Sequence, residues 1–234
     1  MAEHVVPILK KASLFKGLTK DEITLIWGCL NARTASFTKG SYLLFAGDAV
    51  NEVGILLEGR AEIFREDVMG NRSVISSLES GEMFAEALAS ATVEHSPVSV
   101  LAVSNCTAVF FSIDRIAGHC ANACVFHSRV VANLMRVLAQ KNIILTQKLD
   151  ILSKRTTREK LLAYLMEQSM NAGSKMFQIP FDRNTLADYL GVNRSAMSRE
   201  LSALREDGLI DFHKNSFKLT LNQNEADKND IKKK

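Results

Sequence analysis

Apolar positions in the middle of the chain follow the short spacing that is typical of β-strands. Between residues 34 and 113, short alternating or apolar runs are separated by turn residues and by glycines. Met69-Gly70-Asn71 is a hairpin turn signal within this region. Many short strands of this kind predict an antiparallel sandwich or barrel. The predicted strands are 41–45, 53–57, 61–66, 72–78, 98–103 and 108–113.

On both sides of this region, the apolar positions have the spacing of helices. Within residues 1–30, Thr19 and Glu22 have the spacing of a capping box, which predicts the start of a helix. Residues 114–150 form one long helical pattern, which Asp114 can cap.

The long helix carries an apolar stripe that needs a partner. Val131, Leu138, Leu145 and Leu152 fit a heptad, although Lys141 and Lys148 occupy the partner positions. A second copy of the chain is the partner that we expect, because a helix of this length extends beyond the width of a barrel. Packing on the barrel alone is the alternative. The expected dimer interface consists of Val131, Leu134, Leu138 and Leu145.

Residues 151–221 predict a small mixed domain. Thr156 and Glu159 have the spacing of a second capping box, and a short strand follows the helix that it opens. Two short helices come next, joined by a tight turn at Gly191. Asp182 is the predicted cap of the first helix, and Asn193 is the predicted cap of the second. The runs 209–212 and 217–221 then predict a β-hairpin.

The second helix of this pair has two different faces. Met197, Leu201 and Leu204 point inward, whereas a polar face lies opposite them. Such a helix can enter the major groove and read base edges. The alternative is a structural helical hairpin whose polar face is solvated. The predicted DNA-binding residues are Asn193, Arg194, Ser195, Ser198, Arg199 and Ser202.

Composition narrows the class of protein. Hydrophobic residues make up 47% of the 234 positions, which indicates a globular protein, and the net charge is only +3. Nucleic-acid binding must therefore depend on a local patch. We see no signal peptide and no apolar run long enough for a membrane span, so we expect a cytoplasmic protein. We also expect its cysteines to be reduced thiols. These are Cys29, Cys106, Cys120 and Cys124.

Residues 10–221 resemble the CRP/FNR superfamily of bacterial transcription regulators. The glycine spacing of the barrel, the long central helix and the helix pair with its hairpin occur in the order of that family. The resemblance implies an α+β protein. Its parts would be an N-terminal antiparallel β-roll (a double-stranded β-helix similar to cyclic-nucleotide-binding domains) over residues 1–113, a dimerisation helix over 114–150 and a winged helix-turn-helix over 151–221. Residues 222–234 are predicted to be a disordered tail.

The resemblance also implies a function. Proteins of this family are homodimers that bind palindromic operator DNA, respond to a small effector and act with RNA polymerase. Arg194 and Arg199 match the two arginines of the family's recognition helix, but Ser195 stands where a glutamate is common. We find no P-loop, no HExxH and no nucleophile elbow, so catalysis is not expected. A signalling module that regulates a protein partner without binding DNA is the alternative function.

The effector region departs from the family pattern. Members that bind cyclic AMP have Gly-Glu followed about ten residues later by an arginine that pairs with the cyclic phosphate. Here Ala85-Glu86 keeps the glutamate, whereas Ser96-Pro97 replaces the arginine and its neighbour. A buried phosphate without an ion partner is unfavourable, so we predict an effector other than cyclic AMP. The expected pocket residues are Ala85, Glu86, Ser96 and Leu134.

A cysteine–histidine cluster lies at the predicted start of the long helix. Cys120, Cys124 and His127 share one helical face, which could supply ligands to a soft metal or a redox-active thiol pair. Core packing of the two thiols is the simpler interpretation. The sequence assigns neither a resident metal nor a cofactor.

Overall fold

The computed structural model describes residues 5–118 and 125–220, which form two compact units that divide between Lys141 and Asn142. One hydrophobic core and a smaller satellite cluster lie in the first unit, and a separate core lies in the second. The α+β class and the predicted order of elements are confirmed.

The chain begins with two short helices, α1 (Val5–Lys11) and α2 (Lys20–Cys29). The capping box at the start of α2 is confirmed. The Thr19 backbone N–H donates to Glu22 Oε2 at 2.7 Å, and the Glu22 N–H donates to Thr19 Oγ1 at 3.3 Å. These bonds satisfy two backbone groups that a helix end leaves without partners.

The strands of the first unit form two antiparallel sheets in the orders β1-β8-β3-β6 and β2-β7-β4-β5. Residues 53–57 of β3 are all buried, whereas the edge strand β5 is exposed on both faces as far as its last residue. The strands are β1 (Arg33–Phe37), β2 (Tyr42–Leu44), β3 (Glu52–Glu58), β4 (Ala61–Glu66), β5 (Arg72–Leu78), β6 (Met83–Phe84), β7 (Ser99–Ala102) and β8 (Cys106–Ser112).

Two strands were not predicted from the sequence. β1 is a mostly exposed edge strand, and its residues show no clear apolar alternation. β6 contains only two residues and pairs with Gly54 and Ile55 of β3. It leads into the short helix α3 (Glu86–Ser90) through Ala85, which has a φ of 61°.

The prediction of one helix over residues 114–150, capped by Asp114, is wrong. A short helix, α4 (Ile113–Ala117), comes first, with Ser112 at its N-cap position. Gly118 ends α4 in an extended conformation, and its N–H donates to the Asp114 carbonyl at 2.8 Å. A Cβ atom at Gly118 would lie 2.5 Å from that carbonyl oxygen, so this close approach requires glycine. The long helix α5 (Val125–Ser153) follows.

Besides the C-terminal part of α5, the described residues of the second unit form three helices and a three-stranded antiparallel sheet in the order β10-β11-β9. The capping box of Thr156 and Glu159 is confirmed at the start of the first of these helices. Leucines from all three helices share one buried cluster with Tyr164. The elements are α6 (Thr157–Ala172), β9 (Met176–Gln178), α7 (Arg183–Leu190), α8 (Arg194–Glu206), β10 (Ile210–His213) and β11 (Ser216–Leu219).

The predicted hairpin is present, and the ends of its strands lie one or two residues from the predicted bounds. β10 and β11 are joined at Lys214 and Asn215, and Lys214 takes a positive φ of 51°. We call this hairpin the wing and these two residues the wing tip. The predicted tail over 222–234 lies outside the described residues.

Among the described glycines of the first unit, Gly54 has the shortest distance from an added Cβ atom to a neighbouring atom. A Cβ atom there would lie 2.1 Å from Cζ of Phe84, which is almost fully buried. We expect Gly54→Ala to reduce the free energy of unfolding by about 1–3 kcal/mol, because the core must shift to accept one methyl group. Denaturant unfolding of the whole chain measures this change.

Gly28→Ala is the matched control for this substitution. Gly28 lies in α2, has a normal φ and has open space around its Cα. The added methyl group should leave stability unchanged or raise it by up to about 1 kcal/mol, through helix propensity. Equal stabilities of the two variants would contradict the predicted close packing at Gly54.

Candidate nucleic-acid interface and effector region

Helices α7 and α8 are fixed at both sides of the turn that joins them. Asp182 Oδ1 accepts from the Thr185 N–H at 2.8 Å and caps α7. Gly191 ends α7 with a φ of 60°, which favours glycine. Asn193 Oδ1 then accepts from the N–H groups of Ser195 at 2.9 Å and Ala196 at 3.3 Å. The predicted helix caps at Asp182 and Asn193 and the predicted turn at Gly191 are confirmed.

The inward face of α8 is anchored by apolar side chains. Met197, Leu201 and Leu204 are each at most 1% exposed and belong to the core of the second unit. Ala187 of α7 is also buried in that core, and its small side chain permits a close crossing of the two helices. The inward residues of α8 agree with the sequence prediction.

The outward face of α8 presents most of the predicted DNA-binding side chains to solvent. Arg194, Ser195, Ser198 and Arg199 are exposed. Ser202 is half-buried, and its Oγ donates to the Ser198 carbonyl at 3.2 Å. The Asn193 side-chain oxygen is already used by the helix cap. The first four side chains are therefore the ones best placed to contact an external partner.

The two arginines on this face have different electrostatic surroundings. Hydrogen bonds from Thr185 lower the pKa of Asp182, and the positive charge of Arg194 contributes to the same shift. Arg194 is thus close enough to Asp182 for the two opposite charges to interact. Arg199 takes part in no ion pair within the described ranges. Arg194 takes part in no ion pair within these ranges either, so both guanidinium groups are available to an external partner.

The four predicted effector residues have separate environments. Of these residues, Ala85 lines a cavity of about 180 Å³, whereas Glu86, Ser96 and Leu134 do not. Ser96 is buried in a turn, where its Oγ donates to the Val98 carbonyl at 2.7 Å. Leu134 is buried in the hydrophobic core of its own unit. The other lining residues of the cavity are Arg33, Leu43, Leu44, Asp48, Ala49, Val50, Asn51, Glu52, Phe84 and Phe110.

Glu86 has a partner that the sequence interpretation missed. Its side chain is 5% exposed and forms an ion pair with Lys141 Nζ, which comes from α5. The sequence interpretation treated Lys141 only as an interruption of the heptad. A buried carboxylate needs a compensating charge, and the two residues lie 55 positions apart in sequence, so no local pattern could identify the pair.

His127 is buried, and its ring is held at one nitrogen. Nε2 lies 2.8 Å from the Ile116 carbonyl oxygen, so Nε2 carries the proton that this bond requires. Nδ1 is buried without a hydrogen-bond partner among the described residues. Cys120 and Cys124 lie outside those residues, so their cluster with His127 stays a prediction. Cys29 and Cys106 are free thiols, in agreement with the sequence expectation.

The predicted dimer residues of α5 differ in exposure. Leu145 is 61% exposed, Val131 and Leu138 are partly buried, and Leu134 is buried within its own unit. Lys141 pairs with Glu86, and Lys148 Nζ lies 4.6 Å from the centroid of the Tyr189 ring.

Both lysines therefore contact their own chain, and the exposed positions four residues after Val131 and Leu145 carry apolar side chains instead. These are Met135 and Leu149, each 67% exposed. They, and not the two lysines, complete the stripe that Val131, Leu138 and Leu145 begin.

A capped helix pair followed by a hairpin, with a two-sheet domain and a long helix before it, defines a class of DNA-binding regulators. Residues 34–122 match the family described as cyclic nucleotide-binding domain, and residues 159–226 match the Crp-like helix-turn-helix domain. The chain belongs to the CRP/FNR superfamily of DNA-binding transcription regulators. Members of this superfamily are typically not enzymes.

No helix within the described ranges has the length and apolar character needed to cross a membrane.

Two relatives and one solved structure illustrate the similarity. The chain is 26% identical over 202 residues to the cyclic AMP receptor protein of Thermus thermophilus. This alignment covers 86% of this chain and 89% of the relative. It is 23% identical to the transcriptional activator protein FnrA of Stutzerimonas stutzeri, over 74% of this chain and 70% of the relative. The crystal structure of Thermus thermophilus catabolite activator protein has a TM-score of 0.53 at 23% identity and covers 89% of this chain and 93% of that chain.

Proposed function

We propose that the protein is a homodimeric regulator that reads a palindromic operator through α8 and responds to an effector other than cyclic AMP. The observation that carries this proposal is the outward face of α8. This face presents an exposed arginine without an ion pair in the described residues, on a helix whose opposite face is fully buried. Such a helix is rigid enough to present its side chains to base edges.

Arg199 is the residue that we assign to base recognition. Its planar guanidinium can donate two parallel hydrogen bonds to O6 and N7 of a guanine. Ser195 and Ser198 lie one turn before it or beside it and can donate to neighbouring bases. Arg194 stands in the first turn of α8, where a phosphate contact is favoured by the helix N-terminus.

The dimer proposal rests on an apolar stripe along α5. Its members are four and three residues apart in alternation, which is the spacing of a two-stranded coiled coil. Leu134 is not a member, because it is buried in its own unit. Asn142 stands near the middle of the stripe, and such an asparagine favours a parallel pair of helices in register. The stripe consists of Val131, Met135, Leu138, Asn142, Leu145, Leu149 and Leu152.

Two features argue against tight binding of cyclic AMP. The Glu86 carboxylate, which the family pattern places in the effector region, is already paired with Lys141. Ser96 holds the position where a cation would meet the phosphate, and its hydroxyl is bonded to the backbone of Val98. A cyclic nucleotide would have to break the ion pair without finding an unused cation on this loop.

Arg199→Ala should reduce specificity. On an operator selected from randomised duplexes, we expect a loss of about 1–3 kcal/mol and a relaxed preference at one base pair of each half-site. Arg194→Ala is the matched comparison. It should weaken cognate and scrambled duplexes alike and reduce the salt slope by about one per contact. Titrations at two salt concentrations separate these effects, and an Arg199→Ala variant that binds both duplexes as the parent does would refute the assignment of α8.

Leu145→Asp should convert a dimer into a monomer at micromolar concentration, because it places a charge in the apolar stripe. Ile143→Asp is the control, since Ile143 is similarly exposed at 58% but lies off the stripe. Sedimentation equilibrium measures both masses. A monomeric parent, or a Leu145→Asp variant of unchanged mass, contradicts the dimer proposal.

Calorimetry with cyclic AMP should detect no binding of micromolar or tighter affinity. The Lys141→Met variant should bind no better, because it frees Glu86 but supplies no cation for the phosphate. A micromolar dissociation constant for the parent would show that another residue supplies this charge.

A further inference from the structure

Arg183 connects the start of α7 to the wing. It is the first residue of α7, and its Nη2 donates to the carbonyl oxygen of Lys214 at 2.9 Å. Its Cζ atom lies 5.1 Å from the ring centroid of Phe212 and 5.2 Å from that of Phe217. These two phenylalanines face each other across β10 and β11. One guanidinium therefore contacts both strands of the wing and the backbone of its tip.

One side of the guanidinium is directed toward the protein. Its Nη1 is buried and has no hydrogen-bond partner among the described residues. This burial lowers the pKa of Arg183. Burying a donor without a partner is unfavourable, whereas contact with aromatic faces offsets part of that cost. The buried Nη1 cannot reach an external phosphate, and Nη2 uses one of its hydrogens on the Lys214 carbonyl.

The wing tip is held by its backbone, while the side chain of Lys214 is exposed and that of Asn215 is half-buried. The Ile179 N–H donates to the Asn215 carbonyl at 2.9 Å, and Arg183 binds the carbonyl of the preceding residue. Lys214 takes a positive φ, which is uncommon for a residue with a side chain. Its ammonium group is exposed and takes part in no ion pair within the described parts of the chain.

The wing tip and the start of α8 lie near the same end of α7. Arg183 binds the tip. The neighbouring Asp182 lies close enough to Arg194 for that positive charge to contribute to its lowered pKa. Arg194 and Lys214 therefore place two exposed cations around one helix end. A DNA backbone that runs past Arg194 would meet the tip as well, since phosphates follow one another at short intervals along each strand.

We propose that Arg183 is a positioning residue that holds the wing tip so that Lys214 contacts a DNA phosphate. This inference rests on the proposed function of α8. Arg183 acts through Lys214 and makes no DNA contact of its own. Loss of Arg183 therefore matters only while Lys214 is present.

A double-mutant cycle tests this dependence. The variants are Arg183→Gln, Lys214→Ala and their combination, titrated with the duplex selected for the parent at several salt concentrations. Lys214→Ala should reduce the salt slope by about one, which corresponds to roughly tenfold weaker binding per decade of salt below 1 M. Arg183→Gln should reduce both the slope and the affinity in the same direction. The combination should bind no more weakly than Lys214→Ala alone.

Lys218→Ala is the matched control on the same hairpin. Lys218 is exposed on β11, and no described hydrogen bond joins it to Arg183. Whatever Lys218 contributes to binding should therefore add to the effect of Arg183→Gln. Additivity with Lys218 and non-additivity with Lys214 together support the positioning role, because a general loss of folding would affect both pairs alike.

Arg183→Lys separates positioning from direct contact and serves if Arg183→Gln does not fold. A lysine keeps the charge but cannot replace the planar group that spans two rings and a carbonyl, so the reduced salt slope should persist. An unchanged slope in Arg183→Lys, or additive losses in the cycle with Lys214, would overturn this inference alone. A parent that binds no duplex would overturn the proposed function and this inference with it.

Discussion

The helix pair depends on one constraint: neither α7 nor α8 is long enough to be stable alone. α7 has 8 residues and α8 has 13, and isolated helices of such length are marginal in water. Their stability must come from the buried face that they share with α6 and from the caps at their ends. Met197, Leu201 and Leu204 supply the buried face of α8, and Asn193 supplies its cap. The requirement for burial on one side thus determines which side chains remain available on the other.

This constraint also explains why a nearly neutral protein can bind a polyanion. The whole chain has a net charge of only +3, so no general attraction to DNA is expected. A few cationic side chains at fixed positions can attract DNA without a high net charge of the whole chain. On α8 the placement follows from the helix phase, and on the wing it follows from backbone bonds to Arg183 and Ile179. In the proposed function, each such cation would act at a defined position, which suits recognition of one register on the duplex.

The parts of the fold that were predictable from sequence are those set by neighbouring residues. Capping boxes, the glycine turn and the inward face of α8 all depend on residues within one or two turns of each other, and they were predicted correctly. The break between α4 and α5 was missed, because the close approach that requires glycine at position 118 is visible only in the structure. The ion pair of Glu86 with Lys141 was missed because it joins distant parts of the chain.

The same distinction applies to the candidate site. The outward residues of α8 follow from helical spacing alone, so the sequence identified them. Arg183 was overlooked because its partners lie on β10 and β11, about thirty residues later in the chain. Ser96 and Leu134 were grouped with Glu86 from a family pattern, but their side chains are committed to a turn and to a core. A sequence pattern identifies which residue types are present, whereas packing in the fold determines which of their polar atoms remain free to contact a ligand.

The edge strand β5 has a consequence for self-association. An open sheet edge can pair with a strand of another molecule and start aggregation. In β5, the exposed Val74 and Ile75 would favour that outcome, but serines stand on both sides of them at positions 73, 76 and 77. Arg72 adds a charge at one end, and the register with β4 shifts between Ile63 and Phe64. A polar, irregular edge of this kind opposes amyloid-like stacking, although β5 itself adds little to the core.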